Sequence, residues 1–125
     1  MRPNGVSRYA VRRSSLPLTP ALFHVLLSLA DGEKHGYAIL KEVEARTDGA
    51  VRLSTGTLYG IIKRLLVEGL IVESRRRPAS NDDERRRYYR MTEFGRRVAI
   101  AEARRLERMV SVARATRLLD KPRRV

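Results

Sequence analysis

The spacing of apolar positions along this chain changes from helical to extended and back to helical. Leu22, Val25, Leu26 and Leu29 recur every three or four residues, the period of an amphipathic helix. Thr19-Pro20 marks its start: a Thr hydroxyl caps the first turn, and Pro at the first helical position gives up no bond. Asp31-Gly32 stops it. His35-Gly36 leads into a second helix, with Tyr37, Leu40, Val43 and Ile39 expected inward. It ends near Thr47, before the turn pair Asp48-Gly49. Residues 51–53 form a short extended link. Ser54 can cap a third helix over residues 54–68, with Leu58, Ile61, Ile62, Leu65 and Leu66 as its apolar stripe. Gly69 stands where a helix end favours the left-handed conformation. Three short helices joined by tight turns are the core of a helix-turn-helix unit.

Strands follow. Leu70-Ile71-Val72 is rich in β-branched residues and runs into Arg75-Arg76-Arg77-Pro78. A polar loop over residues 79–84 separates it from a second extended stretch, 85–91, that carries Tyr88 and Tyr89. Two strands with a polar tip make a hairpin, the wing. Thr92 caps a last helix that runs to about Leu119, and Pro122 ends it. Along that helix Ala99, Ala103, Leu106, Val110 and Ala113 follow the alternating four- and three-residue steps of a heptad, widened by Phe94, Val98, Ile100 and Met109. A helix of this length reaches roughly 37 Å, more than so small a body can cover. The overhang predicts a partner helix, hence a homodimer. The fold class expected is therefore mainly α with a small β-hairpin. A winged helix-turn-helix over residues 16–91 carries a C-terminal dimerisation helix over 92–120. A basic arm, 1–15, precedes it and a basic tail, 121–125, follows.

Charge sharpens this picture. Twenty-seven Lys and Arg face fourteen Asp and Glu, a net charge of +13. Self-repulsion on that scale is relieved by a polyanion, and a basic footprint on one small domain points to nucleic acid. An arginine bias inherited from GC-rich coding DNA would raise the same number, so placement must decide. There are no cysteines, which removes disulfides, zinc fingers and thiol nucleophiles. The longest apolar run, residues 22–30, is interrupted by His24 and Ser28 and is too short to span a bilayer. The N-terminal segment holds arginines but no apolar run of the secretory type. A cytoplasmic protein with no membrane partner is expected. His24 and His35 are the only histidines, and neither has a cysteine or a carboxylate cluster beside it. His24 reads as a satisfied core or interface residue. Asp82-Asp83-Glu84 is a loop run with no ligand partner at useful spacing. No enzyme, cofactor or metal site is expected.

The polar face of the third helix is the strongest candidate site. It presents Ser54, Thr55, Gly56, Thr57, Tyr59, Gly60, Lys63 and Arg64. A small, uncharged first turn lets backbone N–H groups approach a phosphate. The hydroxyls can donate to phosphate oxygens or base edges. Tyr59 can pack on sugar or a thymine methyl, and Lys63 and Arg64 can reach the backbone or guanine. Two glycines cost roughly 1 kcal/mol each inside a helix, so something requires closeness there. Packing against another helix is the rival explanation. The wing offers Arg75, Arg77, Arg85, Arg86 and Arg87, with Arg76 and Arg90 beside them, as grips on phosphate. Internal ion pairs, with Asp82, Asp83 and Glu84 at the tip, are the rival there. Arg2, Arg8, Arg12 and Arg13 fit an arm along DNA or an unstructured terminus.

The run His35-Gly36-Tyr37, then Leu53-Ser54-Thr55-Gly56-Thr57-Leu58-Tyr59, Arg64-Leu65, Glu68-Gly69-Leu70-Ile71, Arg87-Tyr88-Tyr89 and Thr92-Glu93-Phe94-Gly95 resembles the PadR family of bacterial winged-helix transcriptional regulators. The resemblance covers residues 18 to about 117. It implies a homodimeric repressor whose C-terminal helix makes the dimer and whose third helix enters the major groove of a pseudo-palindromic operator. His35 and Tyr37, at the start of the second helix, join the expected DNA contacts. A small-molecule effector is the expected releasing signal. The family usually has Pro where Gly60 stands, and often Pro where Thr55 stands, so this helix start should be looser. The Trp with which multidrug-sensing relatives stack flat ligands is absent. Sequence-independent nucleic-acid packaging, or association with RNA, stands as the alternative function.

Overall fold

The computed structural model describes residues 17–75 and 86–120. The elements are α1 (Pro20–Ser28), β1 (Lys34–His35), α2 (Gly36–Arg46), α3 (Thr55–Val67), β2 (Ile71–Glu73), β3 (Tyr88–Met91) and α4 (Glu93–Ala115). Each helix start is built as its sequence demands. The Thr19 hydroxyl accepts from the Leu22 N–H at 3.2 Å, Ser54 from Thr57 at 3.1 Å, and Thr92 from Gly95 at 2.9 Å. Each satisfies a donor that the first turn of a helix leaves without a partner. Gly69, at φ 77°, turns the chain out of α3, and the Leu70 N–H bonds back to the Leu65 carbonyl at 2.9 Å.

The three strands form one antiparallel sheet in the order β1-β3-β2. Ile71 pairs with Met91 and Val72 with Arg90 on one side of β3, and His35 pairs with Tyr88 on the other. β1 is absent from the sequence reading because two residues, Lys34 and His35, carry no period. β2 is shifted by one residue from the stretch 70–72 expected, and β3 is shorter than the stretch 85–91. Arg86 and Arg87 lie outside the ladder.

Leu22, Val25, Leu26, Ile39, Val43, Leu58, Ile62, Leu65, Leu70, Ile71 and Val98 close one aliphatic core between the helices and the sheet. Two inward expectations are corrected. Tyr37 is 57% exposed, and Ile39 takes the core position of α2. Gly36, Ile39 and Val43 share one face at helical spacing, and Tyr37 lies about 100° off it. Leu66 lies at the edge of the α3 stripe and is exposed, not buried. α1 also stops before Asp31-Gly32, with Leu29 as its C-cap.

The start of α4 is clamped to the end of α3. The Thr92 hydroxyl donates to the Gly69 carbonyl at 2.7 Å, and the Thr92 N–H to the Leu70 carbonyl at 3.0 Å. A Cβ on Gly95 would collide with that Leu70 carbonyl, so only glycine lets the helix sit this close. Farther along, Glu102 is almost fully buried and takes two bonds from Arg105, at 2.7 and 2.9 Å. α4 ends at Ala115, not near Leu119. Arg117 adopts φ 67°, and the Leu118 N–H folds back to the Ala113 carbonyl at 2.8 Å, a left-handed helix stop made without glycine.

Candidate nucleic-acid interface

α3 buries Leu58, Ile61, Ile62 and Leu65. Gly56, Gly60, Lys63 and Val67 follow one another at three- and four-residue steps on the opposite side. A Cβ at Gly56 or Gly60 would meet nothing within 4 Å. Packing of these glycines against another described element is thereby ruled out. The face is open, and the helix backbone itself forms its surface.

The flanks of that face differ. On one, the ring of Tyr59 lies over Gly36 at the start of α2, where a Cβ would stand 2.5 Å from the phenolic oxygen. Tyr59 is still 46% exposed. It is thus shared between α2 and solvent, whereas the sequence suggested a residue free to meet DNA. Tyr89 sits close by, and burial, followed by the charges of Tyr59 and Glu73, pushes its phenol up from the usual tyrosine value. On the other flank the Ser54 hydroxyl bonds Thr57 Oγ1 at 3.0 Å. Arg64 is tied through Nε to Glu68 Oε2 at 2.8 Å. Lys63 is exposed and makes no ion pair among the described residues.

The start of α2 contributes differently from each of its two expected contacts. Tyr37 stands out into solvent with Lys41 Nζ 5.8 Å above its ring. His35 is built into the fold. Its Nδ1 accepts from the Ala38 N–H at 3.2 Å, capping α2. Its ring meets Tyr88 edge-on at 5.3 Å, and Arg86 Nη1 lies 3.2 Å from its Nε2. His35 therefore joins α2 to the wing, a role its partners define and its type alone does not.

Of the wing arginines, Arg75 and Arg90 are exposed, Arg86 is half-buried, and Arg87 pairs with Glu73 at 2.9 Å. The internal ion-pair reading holds for Arg87. Arg77 and Arg85, with Asp82, Asp83, Glu84 and the N-terminal arm and C-terminal tail, lie outside the described residues. On α4, Ala103 and Val110 are exposed, and Ala99, Leu106 and Ala113 are half-buried. Met109, Val112, Leu118 and Leu119 add exposed apolar area.

His24 is not satisfied as expected. It is half-buried, and its Nδ1 is buried without a hydrogen-bond partner among the described residues. Burial, reinforced by the Arg46 guanidinium, lowers its pKa and so favours the neutral ring. Among the described residues no group of His, Cys, Asp or Glu is placed to hold a metal ion, and no helix is long and apolar enough to cross a membrane.

The model of the PadR-like family of transcriptional regulators matches residues 25–101, which span the helix-turn-helix, the sheet and the first turns of α4. This chain belongs to that family. A PadR-like chain of this kind is a transcriptional regulator and not an enzyme. It is 36% identical over 86 residues to the transcriptional regulator Rv3488 of Mycobacterium tuberculosis, covering 69% of this chain and 75% of the relative. Among solved structures, a transcriptional regulator from Clostridium thermocellum superposes with a TM-score of 0.59 at 25% identity, over 80% of this chain and 92% of that one. Bacillus subtilis PadR in complex with operator DNA shares the fold, with a TM-score of 0.57 at 20% identity over 68% of this chain and 47% of that one.

Proposed function

We propose that this PadR-like regulator is a homodimeric repressor that reads a pseudo-palindromic DNA operator with α3. The observation that carries the reading is the open outward face of α3. Two glycines with open space above them and a Lys63 without an ion pair, both among the described residues, form with the hydroxyl-bearing first turn a surface that a duplex can approach closely. Fold-level likeness to a PadR bound to operator DNA supports DNA as the partner. Two copies joined along α4 would set two such helices in successive major grooves, one helical turn of about 34–36 Å apart. Ser54, Thr55, Thr57, Lys63 and Arg64 would contact bases and adjacent phosphates, with Tyr37 and the wing arginines Arg75 and Arg86 on the flanking backbone. Val110 and Met109, apolar side chains left exposed among the described residues, support pairing through α4. A small-molecule effector would act by changing the angle between the α4 pair and the two reading helices. A cytoplasmic site of action follows from a role on genomic DNA.

Footprinting on the DNA upstream of the protein's own gene tests the reading. A protected site of two related half-sites, one turn apart, is expected. Uniform protection of all sequences at equal protein concentration would instead support sequence-independent packaging.

A further inference from the structure

Glu68 is out of place by every local rule. It is the C-cap of α3, where the helix dipole disfavours a carboxylate. Its partner Arg64 precedes it by four residues, the weaker order for such a pair. It also puts a negative charge on a helix read here as facing a polyanion. Its side chain is nevertheless only 29% exposed, and it holds Arg64 at 2.8 Å through Nε. The Arg64 guanidinium has no other hydrogen bond among the described residues, and 52% of the side-chain surface is open.

The chemistry of the guanidinium gives this arrangement a use. It is a rigid plane with donors on three nitrogens. A carboxylate on Nε fixes that plane and leaves both terminal nitrogens without a hydrogen bond among the described residues. Two parallel donors on one edge are what bidentate recognition of guanine O6 and N7 requires. An arginine left loose could spread over any phosphate within reach, and would then add affinity without discrimination.

We propose that Glu68 is a positioning residue for sequence reading. It orients Arg64 for a bidentate base contact, lowering affinity for DNA in general and raising preference for the operator. This rests on the assignment of α3 as the reading helix, and the test separates the two claims.

Affinities for the footprinted operator and for a random duplex of equal length are measured by fluorescence anisotropy at two salt concentrations. The proteins are wild type, Glu68→Ala, Glu68→Gln, Arg64→Ala and the Arg64→Ala/Glu68→Ala double variant, each checked by thermal unfolding. Glu68→Ala is expected to bind the random duplex more tightly while its operator-to-random ratio falls roughly tenfold, within the range of one bidentate contact. Glu68→Gln, which keeps an acceptor for Nε–H, is expected to retain most of the ratio. In the Arg64→Ala background, loss of Glu68 should leave the ratio unchanged. If Arg64→Ala lowers the ratio but Glu68→Ala does not, the positioning role is wrong and the α3 assignment stands. An equal fall in both backgrounds would also overturn it, because Glu68 would then act without Arg64. No change in the ratio with Arg64→Ala would remove the base contact itself and the proposal with it.

Discussion

Tyr59 rests on the α-carbon of Gly36, with room for no more than a hydrogen between them: a Cβ there would lie 2.5 Å from the phenolic oxygen and 2.9 Å from Cζ. This contact sets α3 against the start of α2. It explains why a glycine follows His35 at a helix start where Ala would be the better helix former. The obstructing atoms are the far end of a half-exposed side chain, so a substitution is expected to displace the ring and spare the fold. Gly36→Ala should change unfolding stability by less than about 1 kcal/mol. It should still weaken operator binding several-fold, because Tyr59 and the first turn of α3 shift together. A stability loss with unchanged DNA binding would show that the contact serves packing alone.

Gly60→Ala should move stability and binding in opposite directions. The new methyl meets nothing among the described residues, and Ala is favoured over Gly inside a helix by about 0.8–1 kcal/mol. Denaturation should show a gain of about that size. The same methyl would stand on the face proposed for DNA, so anisotropy should show a loss of operator affinity. Unchanged affinity would mean that the glycine face does not touch the duplex.

The reading of the fold from sequence succeeded where the signal is local. Thr19, Ser54 and Thr92 cap helices because a hydroxyl beside an apolar period leaves few other readings. Gly69 takes its left-handed turn for the same reason. The failures are tertiary. β1 exists only because β3 passes beside Lys34 and His35. Gly36 and Gly95 are fixed by Tyr59 and by the Leu70 carbonyl, partners distant in sequence. The α3 face was legible as a surface, since its polar residues and glycines fall opposite Leu58 and Leu65. Its internal ties were not. Arg64 to Glu68 is a spacing that fits many exposed pairs, and nothing in the sequence distinguishes a tether from a coincidence. Arg117 hides the end of α4, because a left-handed arginine has no sequence signature.

Buried Glu102 links stability to acidity. The Arg105 hydrogen bonds hold its carboxyl below the usual glutamate value against the opposing effect of burial, with the Leu18 backbone also favouring the charged form. A depressed folded value means that the contribution is present above the unfolded value of about 4.3 and drains away as pH falls below it. Arg105→Ala removes the main support and leaves burial opposed by the Leu18 backbone bond. Its acid-unfolding midpoint should therefore rise relative to wild type. Glu102→Gln should flatten the pH dependence in that range. An unshifted midpoint in Arg105→Ala would show that Glu102 is not the group lost on acidification.

Val110→Glu should separate dimerisation from folding. Val110 is 39% exposed beyond the body of the domain, so a carboxylate there costs the single chain little. Across a helix pair the same group would sit against its own copy, unpaired and partly desolvated. Sedimentation at micromolar concentration should give a monomer with unchanged circular dichroism. A variant that stays dimeric would place the interface elsewhere.

Competition between duplexes shows whether a short face of α3 reads sequence while the basic surface supplies affinity. Labelled operator and random duplexes are titrated against the protein between 50 and 200 mM salt. Affinity for both should fall steeply, roughly 10³–10⁵-fold if six to ten phosphates are neutralised. The operator should remain favoured by about 10³ or more throughout. Equal affinity for the two duplexes at every salt concentration would contradict the account.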